Sequence, residues 1–177
     1  TVIVPHVAAG IMDTWNVSVV AANDDTVDNS VSGNVIVDTV TGHTLTGDTD
    51  LSGNPGDTVT YHFTILNTGN AQEKMDYTVS SSWAVSTPGG STTLGMGASD
   101  TISVTQTIPA NADAGASASV TFNVINGDGS SVAVTTTANQ EYGVTVSVGT
   151  LTGLKPGESG DLSFTVTNTG NGLDTFT

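Results

Sequence analysis

The run Val59-Thr60-Tyr61-His62-Phe63-Thr64-Ile65 alternates apolar and polar residues without a break. Successive side chains of a β-strand point to opposite faces, so this spacing predicts a strand with Val59, Tyr61, Phe63 and Ile65 buried and Thr60, His62 and Thr64 exposed. The same period of two runs through Ile102-Ser103-Val104-Thr105, Val120-Thr121-Phe122-Asn123-Val124 and Leu162-Ser163-Phe164-Thr165-Val166. No segment carries the stripe of an amphipathic helix. Valine and threonine suit strands, while scattered Gly, Asn, Asp and Ser mark the turns between them. Asn126-Gly127-Asp128-Gly129 predicts a tight hairpin, because both dipeptides tolerate positive φ. The fold class is all-β.

Strands are expected at 34–40, 57–66, 74–80, 83–86, 100–107, 118–125 and 131–137. Before them come the end of one strand at 1–4 and two more at 15–21 and 26–32. After them come strands at 142–148 and 160–167, with a third just beginning at 177.

The pattern also returns on a longer scale. Pro55-Gly56-Asp57 through Asn67-Thr68-Gly69-Asn70 recurs as Pro156-Gly157-Glu158 through Asn168-Thr169-Gly170-Asn171, and Val4-Pro5 through Gly10 echoes Ile108-Pro109 through Gly115. The period, about 100 residues, is that of one seven-stranded sandwich domain. It divides the chain into the C-terminal half of a repeat at 1–32, a complete repeat at 33–139 and the N-terminal half of the next at 140–177. Thr1 aligns with Thr105 and Thr177 with Thr78, so the two periods lack the stretch matching Val79 to Val104. Two arrangements fit: a window in a longer continuous array, which we favour at this point, or half-repeats completed by a neighbouring copy. Both predict a native object longer than this chain. An apolar half-face left wet over a few hundred Å2 would cost several kcal/mol at ~25 cal/mol per Å2, so both half-repeats are expected to be covered.

Pro55 to Val124 resembles the Ig-like repeats of bacterial and archaeal surface proteins, the alpha-galactosidase-associated and CARDB-type modules found in tandem on secreted enzymes, adhesins and S-layer proteins. The residues that carry the resemblance are Pro55-Gly56-Asp57, Asn67-Thr68-Gly69-Asn70, Trp83, Ile108-Pro109-Ala110 and Ala114-Gly115. It implies tandem antiparallel Ig-like β-sandwiches, one complete and two partial, acting as a spacer or assembly element. Physically, Gly69 and Gly170 are expected to permit the turn of their Asn-Thr-Gly-Asn corners, Trp83 to plug the core, and Pro109 to end a strand.

Charge narrows the function classes. Lys74 and Lys155 are the only Lys or Arg residues against 17 acids, a net charge of -15. Neutralising phosphates requires Lys and Arg, so nucleic-acid binding is excluded, and attraction to anionic lipid fails for the same reason. No apolar run reaches the length of a membrane span, so no direct membrane insertion is expected. With no cysteine, no disulfide or thiolate metal site is available. Thr1 leads directly into Val2-Ile3-Val4, which reads as a strand and not as a signal peptide, an absence that says little because a chain starting mid-repeat need not begin at the gene's own start.

The candidate chemistry is thin. Asn23-Asp24-Asp25-Thr26-Val27-Asp28 gathers hard oxygen ligands, making calcium at Asp24, Asp25 and Asp28 the one cofactor to consider, with Asp48 and Asp50 adding two carboxylates elsewhere. Neither run follows a known calcium-loop pattern, and solvated loops account for both. His6, His43 and His62 share no metal-pair spacing. No Gly-x-Ser-x-Gly elbow occurs, and Glu73, Glu141 and Glu158 read as turn or strand-edge positions, so no enzyme is expected. Asn16-Val17-Ser18 is a glycosylation sequon on an expected strand. Trp15 fits a core position or a carbohydrate platform. The expectation is an extracellular structural repeat protein of a prokaryotic surface layer, filament or sheath, whose partners are adjacent repeats or neighbouring copies. The alternative is an adhesin stalk or a carbohydrate-binding accessory module, which an exposed aromatic stripe would favour.

Overall fold

The computed structural model describes residues 1–127 and 129–177. All regular structure is β. A hairpin of β1 (Met12–Ala21) and β2 (Asp24–Ile36) comes first. A central body follows, made of β3 (His43–Gly47), β4 (Leu51–Gly53), β5 (Thr58–Asn67), β6 (Glu73–Ser80), β7 (Gly89–Leu94), β8 (Ser99–Thr107), β9 (Ser117–Val124) and β10 (Ser130–Ala138). A pair of β11 (Val144–Val148) and β12 (Phe164–Asn168) closes the chain.

Two sheets make the central body, β3-β5-β8 and β4-β10-β9-β6-β7. All pairings are antiparallel except β4 on β10. The sheets face one another across a single core, with Tyr61, Phe63, Ile65 and Val104 from the first against Met75, Val79, Leu94, Val120, Phe122, Val124 and Val134 from the second. The alternation of β5 sets this directly. Tyr61, Phe63 and Ile65 are fully buried, Val59 is half-buried, and Thr60 and His62 are exposed, with Thr64 between. Phe122 stacks between Phe63 and Tyr77 with both ring separations at 4.8 Å, each pair contributing about 0.5–1.5 kcal/mol beyond its buried area. Buried polar groups also tie the layers. The Tyr61 hydroxyl lies 2.7 Å from Thr136 Oγ1, which donates to Gln106 Oε1, while Gln106 Nε2 donates to Ser81 Oγ at 2.6 Å.

The expected strand at 34–40 is not formed: 34–36 complete β2, and 37–42 link the hairpin to the central body. The first strand of the body instead starts at His43 and is broken in two, so that it serves both sheets. Asp48 and Asp50 make the crossing. Asp48 Oδ2 accepts the backbone N–H of His62 on β5 at 2.8 Å, and Asp50 Oδ1 accepts that of Thr135 on β10 at 2.7 Å. The short strand at 83–86 reduces to one bridge, Val85 with Gln106, and the edge strand is β7 instead. Residues 1–4 form no strand. The Asn126–Gly129 turn joins β9 to β10 as expected, with Gly127 and Gly129 at positive φ, while its Asp128 lies outside the described residues.

Trp83 requires a correction. It is half-buried against a satellite cluster of Ile108, Ala112 and Ala138, not in the main core. The core volume expected of it is supplied by the stacked rings.

Candidate functional site

The strongest construction outside the core is a joint, and the chain builds it twice. At the first, Asn70 of the β5–β6 loop reaches the linker: its Oδ1 accepts the N–H of Val40 at 2.8 Å, and its Nδ2 donates to the carbonyl of Asp38 at 2.9 Å. The Asn70 carbonyl accepts the N–H of Ala9, in the loop before β1, at 2.9 Å. At the second, Asn171 Oδ1 accepts the N–H of Glu141 at 2.7 Å, and Nδ2 donates to the carbonyls of Asn139 and Ala112 at 2.9 and 3.1 Å. The Asn171 carbonyl accepts the N–H of Ala114 at 2.9 Å. Gly10 with Val37 and Gly115 with Ala138 repeat a further bond at each joint.

The Asn-Thr-Gly-Asn corner shapes each clasp. Asn67 Oδ1 accepts Gly69 N–H at 2.8 Å and its Nδ2 donates to the Ala71 carbonyl at 2.8 Å; Asn168 does the same with Gly170 and Gly172 at 2.9 and 2.8 Å. Thr68 N–H donates to the Gly42 carbonyl, and Thr169 N–H to that of Gly143. The reason for glycine differs from the expected one. Neither Gly69 nor Gly170 has positive φ. A Cβ on Gly69 would sit 2.5 Å from the Val40 carbonyl oxygen, and one on Gly170 would strike that of Glu141. Close approach of two backbones requires glycine here.

These joints lie at opposite ends of the central body. The end of β5 pairs with the start of β8 and the start of β5 with its end, so the loops after β5 and β8 point in opposite directions. One end therefore receives the preceding repeat and the other receives the next.

The other candidates are scattered. Asp24 opens β2, and its Oδ1 accepts the Thr26 hydroxyl at 2.6 Å and the Thr26 N–H at 3.0 Å, which together hold its pKa below the ordinary carboxylate value. Asp25 and Asp28 are exposed on the same strand. Among the described residues, no group of three or more His, Asp or Glu side chains is placed to hold a metal ion. Asn16 is exposed on β1 opposite Ser32, on the polar side of the hairpin. His6 is exposed, and His62 Nδ1 lies 3.0 Å from Asp48 Oδ2.

His43 shows what the sequence concealed. Its Nε2 lies 2.8 Å from Ser130 Oγ, 87 residues away in the chain. Beside it opens a cavity of about 180 Å3 lined in part by Thr41, Thr68 and Glu73. Glu73 Oε2 is buried with no hydrogen-bond partner among the described residues. No spacing along the chain signals this meeting of three strands.

No helix among the described residues is long and apolar enough to cross a membrane. Comparison with known protein families finds no match, and comparison with curated proteins finds none either.

Proposed function

We propose that the protein is an extracellular structural repeat protein, a series of Ig-like β-sandwiches that forms part of a prokaryotic surface layer, filament or sheath. The observation that carries this reading is the joint built twice from equivalent residues, Asn70 with Val40, Asp38 and Ala9, then Asn171 with Glu141, Asn139 and Ala114. A flexible linker needs no such clasp; a load-bearing series does, because its shape depends on every unit meeting the next at the same angle. The aromatics of the central body agree with this role. Tyr61, Phe63 and Phe122 are fully buried in its core, while the exposed aromatics Trp15, Tyr142, Phe164 and Phe176 lie in the flanking segments. Sparse lysine suits exposure to proteases.

Imaging of the native material at low dose is the direct test. Filaments, sheaths or a lattice with a repeat set by one sandwich are expected. Monodisperse particles with no higher order would overturn the reading.

A further inference from the structure

An edge strand left bare presents a row of unpaired backbone groups and is a template for pairing with another chain. The complete central body covers most of its edges. β8 is lined by residues 84–86: Val85 bridges Gln106, Ser86 N–H donates to the Thr105 carbonyl, and Thr107 N–H donates to that of Ala84. β4 is three residues long. β3 packs against β10, where a Cβ on Gly47 would lie 2.9 Å from Val132 Cγ1. β7 is different. It ends the five-stranded sheet and pairs with β6 alone.

The ladder fixes which of its groups are free. Val79 N–H donates to the Pro88 carbonyl at 2.8 Å, and bonded pairs alternate along an antiparallel ladder. In the register of β6 with β7, the bonded pairs are therefore Tyr77 with Gly90, Met75 with Thr92 and Glu73 with Leu94. Gly89, Ser91 and Thr93 turn their N–H and C=O groups outward, and these groups have no protein partner among the described residues. The side chains of Ser91 and Thr93 are exposed. The usual guards of an edge are missing too, since β7 has no charge, no proline and no bulge. It lies in residues 77–99, the longest uncharged run of a chain whose net charge is -15.

We infer that β7 is a lateral docking edge and that its occupant is β7 of a second copy, paired antiparallel about Ser91. The pattern is self-complementary. A two-fold axis at Ser91 sets Ser91 opposite Ser91 and Gly89 opposite Thr93, and each opposed pair exchanges both of its outward N–H···O bonds. From Gly89 to Thr93 no side chain is larger than threonine, so nothing holds the two edges apart. Charge selects the same place. Copies this acidic repel wherever carboxylates face one another, and the uncharged run is where they approach most easily. An isologous contact uses one patch on both partners and stops at two. The inference goes beyond the serial reading above: the joints extend a series along its axis, and β7 links two series side by side.

The test blocks the edge without touching the core. Ser91→Pro removes an outward N–H and no bond to β6, so circular dichroism and the urea midpoint should stay near those of the wild type. Thr93→Lys, a charge on the edge, is a second and milder block. Sedimentation velocity of the wild type should show a dimer whose share grows with concentration and with salt, which screens the repulsion. Both variants should lose it. Cysteine substitution reports the register in a chain that has no cysteine of its own. Ser91→Cys should give a disulfide-linked dimer on mild oxidation, because opposed bonded residues lie about 5.5 Å apart at Cα, within disulfide reach. Thr93→Cys should not, since the two Thr93 positions stand about 14 Å apart along the paired strands. A wild type that stays monomeric at high concentration and salt would overturn the pairing. So would a dimer that both blocks leave unchanged, or crosslinking of Thr93→Cys as fast as that of Ser91→Cys. Imaging of the native material tests the serial reading separately, so the two fail independently.

Discussion

Asn70 is only 4% exposed, yet every polar atom of its side chain is used, and its partners belong to the linker. Truncation to alanine strips Val40 N–H and the Asp38 carbonyl of their partners; both residues are exposed, so water can replace each bond and the cost is about 0.5–1.5 kcal/mol per bond. The core is untouched by this change. Asn70→Ala is therefore expected to raise amide exchange at Val40 sharply while β5 and β9 keep their protection, as read by hydrogen exchange. A second residue couples the fold to pH. Asp48 is held below the ordinary carboxylate pKa, first by the His62 backbone N–H and then by the His62 side chain. A depressed folded value means that the ionised form stabilises the fold. That contribution is complete above the unfolded value of ~3.9 and is lost as pH falls through the lower, folded value. The urea midpoints of wild type and Asp48→Ala should differ at neutral pH and converge in strong acid. A gap that persists unchanged in acid would assign the effect to packing instead of charge.

At the scale of the strand and the layer, aromatic position decides energetic weight. Phe63 is stacked in the sealed core, so Phe63→Ala should cost about 3–5 kcal/mol, the range for large aromatic truncations. Trp83 faces a small cluster and stays half-wet. Trp83→Ala should fall below that range, at roughly 1–2 kcal/mol, in denaturant titrations of the same protein. The difference marks where the sequence was readable. β5, β8, β9 and β10 were legible within a residue or so because each alternates against one buried layer, and only one register buries Tyr61, Phe63 and Ile65 together. The strand broken into β3 and β4 was not, since it changes sheets and its two acids act at the crossing. β7 was missed because Gly89-Gly90-Ser91-Thr92-Thr93 has no apolar alternation, and its place is fixed by pairing with β6. The joint was half-legible. The Asn-Thr-Gly-Asn repeat announced a corner and the Val4 to Gly10 echo contains Ala9, but nothing in either pattern said that they meet, and the partners Val40 and Asp38 carry no motif. The His43–Ser130 meeting rests on tertiary contact alone, which no local pattern encodes.

At the scale of the molecule, the lysines make a sharp prediction about exposure to protease. The bond after Lys155 leads into Pro156, which trypsin does not accept. The bond after Lys74 lies in β6, where Lys74 pairs with Thr93 in the ladder. Cleavage there requires the start of β6 to leave its pairing with the edge strand β7, a local opening of the sheet. The folded protein should thus survive prolonged trypsin intact, and the urea-unfolded chain should yield two fragments, a result that mass spectrometry reads directly. Early cleavage at Lys74 in native buffer would show that the β6–β7 edge of the sheet opens readily.

The twice-built clasp has a geometric consequence. Two successive junctions made from the same contacts apply the same rotation and translation, and a single rigid motion applied again and again is a screw. An array of such units traces a helix whose pitch and hand are stored in one asparagine corner. An error of a few degrees there is harmless across one junction, but compounded over dozens it bends a straight fibre into a coil. Selection on the shape of the whole would then fall on Asn70, Gly69 and their counterparts Asn171 and Gly170.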